Sequence, residues 1–298
     1  MTTTLRLLGV DFTSVPSRRK PITVAHGQLV GGVLRLESVQ ALPDMASFGA
    51  LLAAPGPWLG AFDFPFGLPR VFVDELGLGA DVGAVGDTVH ARCADRRAFQ
   101  ALVDDWAAAR PPGQRLPHRV TDRALAGVSS TSPLQTRYVP VGFMWFEGMP
   151  RLLAAGLHLP GLRAGDATRV ALEGYPGALA YALIGRRSYK NDADAARLIA
   201  RKDMVEALEQ GRVPDVPRLK LAHAQRDALV DDASGDRLDA VLCLVQAAQA
   251  AARPGWGLPP AVDPVEGWIV GARFEAIAAS RATRAPDATE AAEVAGGA

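Results

Sequence analysis

The 298-residue sequence is short of four things, and each shortage excludes something. It has two cysteines, Cys93 and Cys243, which stand far apart and without neighbouring Cys or His at ligand spacing. That excludes a disulfide framework and a zinc ligand set, and makes a reducing cytoplasm the expected compartment. It has no charge excess, with 32 basic and 32 acidic residues, so any contact with nucleic acid must rely on a local patch rather than an overall field. It has no apolar stretch near the roughly 18 residues of a membrane span, and the opening run reaches Asp11 too soon for a secretion signal; neither a leader nor an anchor is expected. Aromatics are only 6% of the chain, but hydrophobic residues reach 49% and mean hydropathy is +0.08, enough for a core and against global disorder.

What is present reads as an α/β chain. Leu5 to Val10, Ile22 to Val30 and Gly32 to Leu42 are strand-like runs, the last two joined at Val30-Gly31-Gly32, so an antiparallel three-stranded start is expected. A helix over Met45 to Ala54 and a buried strand over Trp58 to Phe62 follow. Beyond Asp63, the prolines of Phe64-Pro65-Phe66-Gly67-Leu68-Pro69 force a turn. Residues 71–150 are irregular in pattern. They hold one clear amphipathic helix, with Phe99, Leu102, Val103 and Trp106 on one face, and a second packed helix from Val141 to Gly156. A strand over Arg169 to Leu172 comes next. Helices are then expected over Ala178 to Ile184, Asp192 to Gln210, His223 to Val230 and Asp236 to Ala252. One domain over 1–280 is expected, and the Ala-rich 281–298 reads as a disordered tail.

Three apolar runs end in a carboxylate, at Asp11, Asp63 and Glu173, and the long helix opens with Asp236 and Asp239, three apart on one face. Strand ends in α/β sheets form the crevice where ligands bind. Acids converging there repel one another and are costly to desolvate unless a cation sits between them. Hard oxygen ligands suit Mg²⁺ or Mn²⁺, and two such ions about 4 Å apart support phosphodiester hydrolysis. Each acid also has a structural reading: Asp11 as a turn former, Asp63 as half of a buried pair, Glu173 and Asp236 as helix-start acids, and Asp239 as a packed helix residue.

The motifs Gly9-Val10-Asp11-Phe12, Phe62-Asp63-Phe64-Pro65-Phe66-Gly67, Glu173-Gly174-Tyr175-Pro176-Gly177, Gly235-Asp236-Arg237-Leu238-Asp239 and Glu266-Gly267-Trp268-Ile269, in this order, resemble domain-of-unknown-function family 429 (DUF429). That family is described as predicted nucleases of the ribonuclease H-like superfamily. The resemblance implies a mixed five-stranded sheet flanked by helices, with a helical insertion at about 71–150 between the fourth and fifth strands. It also implies catalytic metal ligands at Asp11, Asp63, Asp236 and Asp239, with Glu173 as an additional one. The expected activity is divalent-metal-dependent hydrolysis of nucleic acid. The alternatives are a nucleotide or sugar phosphotransferase, or a non-catalytic binding module that retains the fold.

Other candidates flank the acids. Arg18, Arg19 and Lys20 follow the first strand and are candidates for a substrate phosphate, or else a solvated charge run. Arg186, Arg187 and Lys190 with Arg197, Arg201 and Lys202 form a second basic zone with the same two readings. Glu266 is a possible site acid, with Trp268 as a core anchor the favoured reading of that motif. Gly77 to Gly83 lacks the Lys-Ser/Thr of a phosphate loop, and Ser129, Ser130 and Ser132 lack a nucleophile-elbow context and read as turn formers.

Overall fold

Short apolar runs in the first 42 positions build an antiparallel meander, β1 (Arg6–Asp11), β2 (Ile22–Val30) and β3 (Val33–Leu42), in the computed structural model, which describes residues 5–273. Gly31 and Gly32 both take positive φ (59° and 77°), the two-residue hairpin turn that matches strand twist. The helix α1 (Met45–Leu52) is capped by Asp44, whose side chain accepts from the Ser47 amide at 2.7 Å. It leads to β4 (Trp58–Phe62), every residue of which is buried and which lies parallel to β1.

From there to the next strand the chain folds into α2 (Arg70–Leu76), α3 (Val82–Arg92), α4 (Arg96–Ala108), α5 (Val120–Arg123) and α6 (Val141–Ala154). The last part alternates strand and helix: β5 (Leu157–His158), β6 (Asp166–Glu173), α7 (Pro176–Ile184), α8 (Ala195–Gln210), β7 (Arg218–Lys220), α9 (His223–Val230) and α10 (Asp236–Ala251). Among the described residues no helix is long and apolar enough to cross a membrane.

The sheet is mixed, with order β5-β6-β4-β1-β2-β3-β7. It therefore has seven strands where five are expected from the sequence. The two extra strands, β5 and β7, are the sheet's edges, and with two and three residues they are too short to display a period. The helix α3 also escapes the pattern, because its two glycines and two polar turns blur the apolar stripe. Its N-cap is Asp81, which gives the glycine-rich Gly77–Gly83 segment a plain structural role. The expected tail over 281–298 lies outside the described residues.

Two cores lie on the two faces of the sheet. One gathers Leu8, Val10, Phe12, Phe48, Phe62 and Phe64 with the helices of 70–154, and the other gathers Leu7, Leu59, Val170 and Leu172 with α7, α8 and α10. The helix α10 is buried almost all round, as a helix between a sheet and other helices must be. Gly9 makes its seat: a Cβ there would stand 2.0 Å from the Leu244 nitrogen and 2.1 Å from the Ala240 oxygen. Only a glycine lets the helix backbone rest on β1, which brings the first turns of α10 to the end of that strand.

Candidate functional site

The site begins with strand register. Val10 stands opposite Phe62 in the parallel pair β1–β4, and the Asp63 amide donates to the Val10 carbonyl at 2.8 Å, so the ladder continues one step past the strand ends. Side chains alternate between faces. Leu7 and Gly9 face α10, as do Leu59 and Ala61, so Asp11 and Asp63 emerge side by side on that same face. Asp239, one turn into α10, meets them there. One carboxylate oxygen of each of Asp11, Asp63 and Asp239 lies within 4.8 Å of the other two.

The three are unequally partnered. Asp239 is 1% exposed and accepts from the Tyr189 hydroxyl at 2.5 Å and from the Lys190 ammonium. Asp11 and Asp63, both partly buried, accept no hydrogen bond from any described residue. Burial and the Asp239 charge push Asp63 up to about 7, with Lys190 opposing. Burial, followed by Asp239, Asp63 and Asp236, drives Asp11 well above the usual carboxylate range. Burial pulls the Lys190 ammonium down, but the surrounding acids, Asp239 first, outweigh it and raise its pKa. Burial and the same acids keep the Tyr189 phenol and the underlying Cys243 thiol protonated. Carboxylates so short of donors must hold protons or share a cation.

Glu173 is not brought to this group, and register is the reason. It pairs with Phe62, not with Asp63, so its side chain points to the opposite face of the sheet. There it forms a bidentate pair with Arg119, at 2.5 and 2.9 Å, and accepts the Phe66 amide at 2.9 Å. Arg119 also binds Asp122, at 2.8 Å, and the Glu266 carbonyl, while Ser130 donates to Asp122. Every one of these side chains is buried. Asp236 stands half-buried beside the three acids without belonging to the group. Burial raises its carboxyl, and Lys20 opposes that shift.

The flanking candidates divide. Arg18, Arg19 and Lys20 are exposed in a turn closed by the Ser17 amide on the Lys20 carbonyl. In the second basic zone, Arg197 pairs with Asp192 and Asp194, and Arg187 with Asp203. Arg201 is 1% exposed and is structural: its guanidinium donates to the carbonyls of Val230 (2.6 Å) and Tyr189 (2.8 Å), fixing the loop that carries Tyr189 and Lys190. Glu266 caps the amides of Arg70 and Val120, and Trp268 is buried as an anchor. Sequence reasoning misses Tyr189 and Lys190 as partners of Asp239 and Arg119 as partner of Glu173. Tyr189 and Arg119 carry no signal in the pattern, since both precede helices in irregular chain.

A cleft of about 920 Å³ opens at the site. Asp63 and Lys190 line it, with residues of 123–131, the start of α6 and 174–190.

No curated protein and no solved structure matches the chain. Residues 9–263, most of its length, match the family model described as protein of unknown function (DUF429), and the chain belongs to that family.

Proposed function

We propose that this protein is a divalent-metal-dependent phosphodiesterase or nuclease of ribonuclease H-like type, with Asp11, Asp63 and Asp239 as its metal ligands. The observation that carries the reading is the group of three carboxylates, two of them without a hydrogen-bond donor among the described residues. The donor set fits Mg²⁺ or Mn²⁺. All three atoms are hard oxygens within 4.8 Å of one another, close to the about 4.2 Å that separates ligands on opposite sides of Mg²⁺, so a small side-chain movement brings them onto one ion. The strand plan supports it too: three antiparallel strands, a helix, then β4 and β6 parallel to β1. Two buried free thiols, Cys93 and Cys243, suit the cytoplasm.

When bound, such a cation supplies the Lewis acidity and the lowered water pKa that phosphodiester hydrolysis requires. The chain's own residues do the rest. Burial and mutual repulsion raise Asp11 and Asp63, and a cation between them would favour their charged forms. Tyr189 holds one Asp239 oxygen and so fixes the carboxylate plane. Lys190, whose side chain is 42% exposed, neutralises Asp239 in the metal-free protein and is long enough to turn to a phosphate oxygen in the cleft. Glu173 and Asp236 serve this reading indirectly, the first by fixing the floor of the cleft and the second by adding negative potential at Asp11.

Thermal unfolding with and without Mg²⁺ and Mn²⁺ tests it, on the wild type and on Asp11→Asn. A ligand that binds only the folded state raises the midpoint, by roughly 5 °C or more at a concentration well above Kd. The wild type is expected to show that rise and Asp11→Asn to lose it. No rise with either metal at millimolar concentration would sink the metal site and leave the binding module as the better account.

A further inference from the structure

The reading above leaves the form of the substrate open, and the cleft narrows it. Resting on that reading, we infer that the site takes a single-stranded segment of nucleic acid, a few nucleotides long, in preference to a duplex or a lone nucleotide.

Four observations converge. The acids lie low: Asp239 is 1% exposed, and Asp11 and Asp63 are partly buried, so the reacting phosphate must descend to them. Of the three, Asp63 lines the cleft, with residues of 123–131, the start of α6 and 174–190. A double helix is a stiff rod over tens of base pairs and cannot bend down to recessed groups; a single strand can.

Second, the cleft volume of about 920 Å³ lies at the top of the roughly 300–1,000 Å³ range of small-molecule sites, more room than one nucleotide fills. Third, the cleft is lined by two exposed arginines with no carboxylate partner among the described residues, Arg123 and Arg186. Two such cations in one cleft suit the successive phosphates of one strand. The formal net charge is zero, so the chain offers no overall positive field to a duplex backbone.

Fourth, the walls mix apolar and small polar groups, the lining a base needs. Val128 and Met144 offer contact, and Ser129 and Thr131 offer hydroxyls. At the lip, Tyr138 is 99% exposed with a left-handed backbone (φ 49°), next to the cleft-lining Val139. An aromatic ring held in water at the end of a basic groove is a stacking surface for a base leaving the cleft.

Fluorescence anisotropy with labelled hexathymidylate and hexauridylate tests this, in millimolar Ca²⁺ and again in EDTA. The competitors are a blunt hairpin duplex and thymidine monophosphate. The expected result is binding of a hexamer in at least one condition, at least tenfold tighter than either competitor. Its dependence on log salt should be shallow, near −2, as two or three neutralised phosphates give. The Arg123→Glu, Arg186→Glu double variant should bind at least tenfold more weakly, with its unfolding midpoint and its Mn²⁺-induced shift unchanged. Duplex binding equal to the hexamer, equal competition by the mononucleotide, or no hexamer binding in either condition would each overturn the inference. The Mn²⁺ shift is read on the same samples without oligonucleotide. A protein that keeps the shift but fails the binding test therefore loses only the substrate form, and one that binds without any shift loses only the metal centre.

Discussion

Two groups of carboxylates sit at the same end of the sheet, on its two faces, and they are opposites. On one face Glu173 and Asp122 share Arg119 and are further satisfied by Phe66, Ser130 and the Arg119 amide, so that almost every lone pair has a donor. On the other face Asp11, Asp63 and Asp239 crowd together with one ammonium and one phenol, both spent on Asp239. The first group is complete as built, and its geometry fixes the loops beneath the cleft. The second is incomplete as built. A buried polar group lacking partners is expensive, so an arrangement that leaves two acids without any is best explained by something the site binds.

The largest effect should come from breaking the completed side. Arg119→Met leaves Glu173 and Asp122 buried without their cation, and a loss of about 3–5 kcal/mol in urea unfolding is expected. A loss below about 1 kcal/mol would mean that the two groups are not the opposites described here.

The incomplete side should respond with the other sign. Asp63 has an ordinary value of 3.8 and is pushed up to about 7 in the folded protein, so between those values the native state binds the extra proton. The metal-free protein should therefore lose stability as pH rises from about 4 to 7, and Asp11, raised in the same way, adds to the loss. Asp63→Asn removes that penalty. At pH 8 without metal it should stabilise the protein by roughly 1–3 kcal/mol, a figure discounted for the water that reaches the carboxylate. A flat profile over this window, or a destabilised Asp63→Asn, would show that the acids are satisfied by something other than protons. Smallest of all, Arg18→Ala should change stability by no more than about 0.5 kcal/mol, since the side chain is exposed and pairs with no acid among the described residues; a larger loss in chemical denaturation would place that loop in one of the two groups.

Much of the fold is legible in the sequence, because apolar periodicity reports burial directly. The meander, β4, the stripes of α4 and α10 and their approximate limits all follow from it. The edges β5 and β7 do not, since two or three residues carry no period. The acids are legible for a similar reason: a carboxylate directly after an apolar run is an anomaly that needs a partner. Which partner is another matter. Tyr189 and Lys190 sit in irregular chain, and tertiary contacts place them against Asp239, among them the buried guanidinium of Arg201 on the Tyr189 carbonyl.

The sequence by itself determined that Asp11, Asp63 and Glu173 each close a buried strand and that Asp239 lies within the first turns of a long buried helix. Chain order and burial pattern are local properties. Tertiary structure alone decided which of these acids meet. Asp63 stands one step beyond Phe62 and Glu173 stands level with it, and in a pleated sheet one step exchanges the two faces. Pairing register is set between strands distant in sequence, and the approach of α10 to β1 is set by the absence of a Cβ at Gly9. Neither can be read from any one segment of the chain.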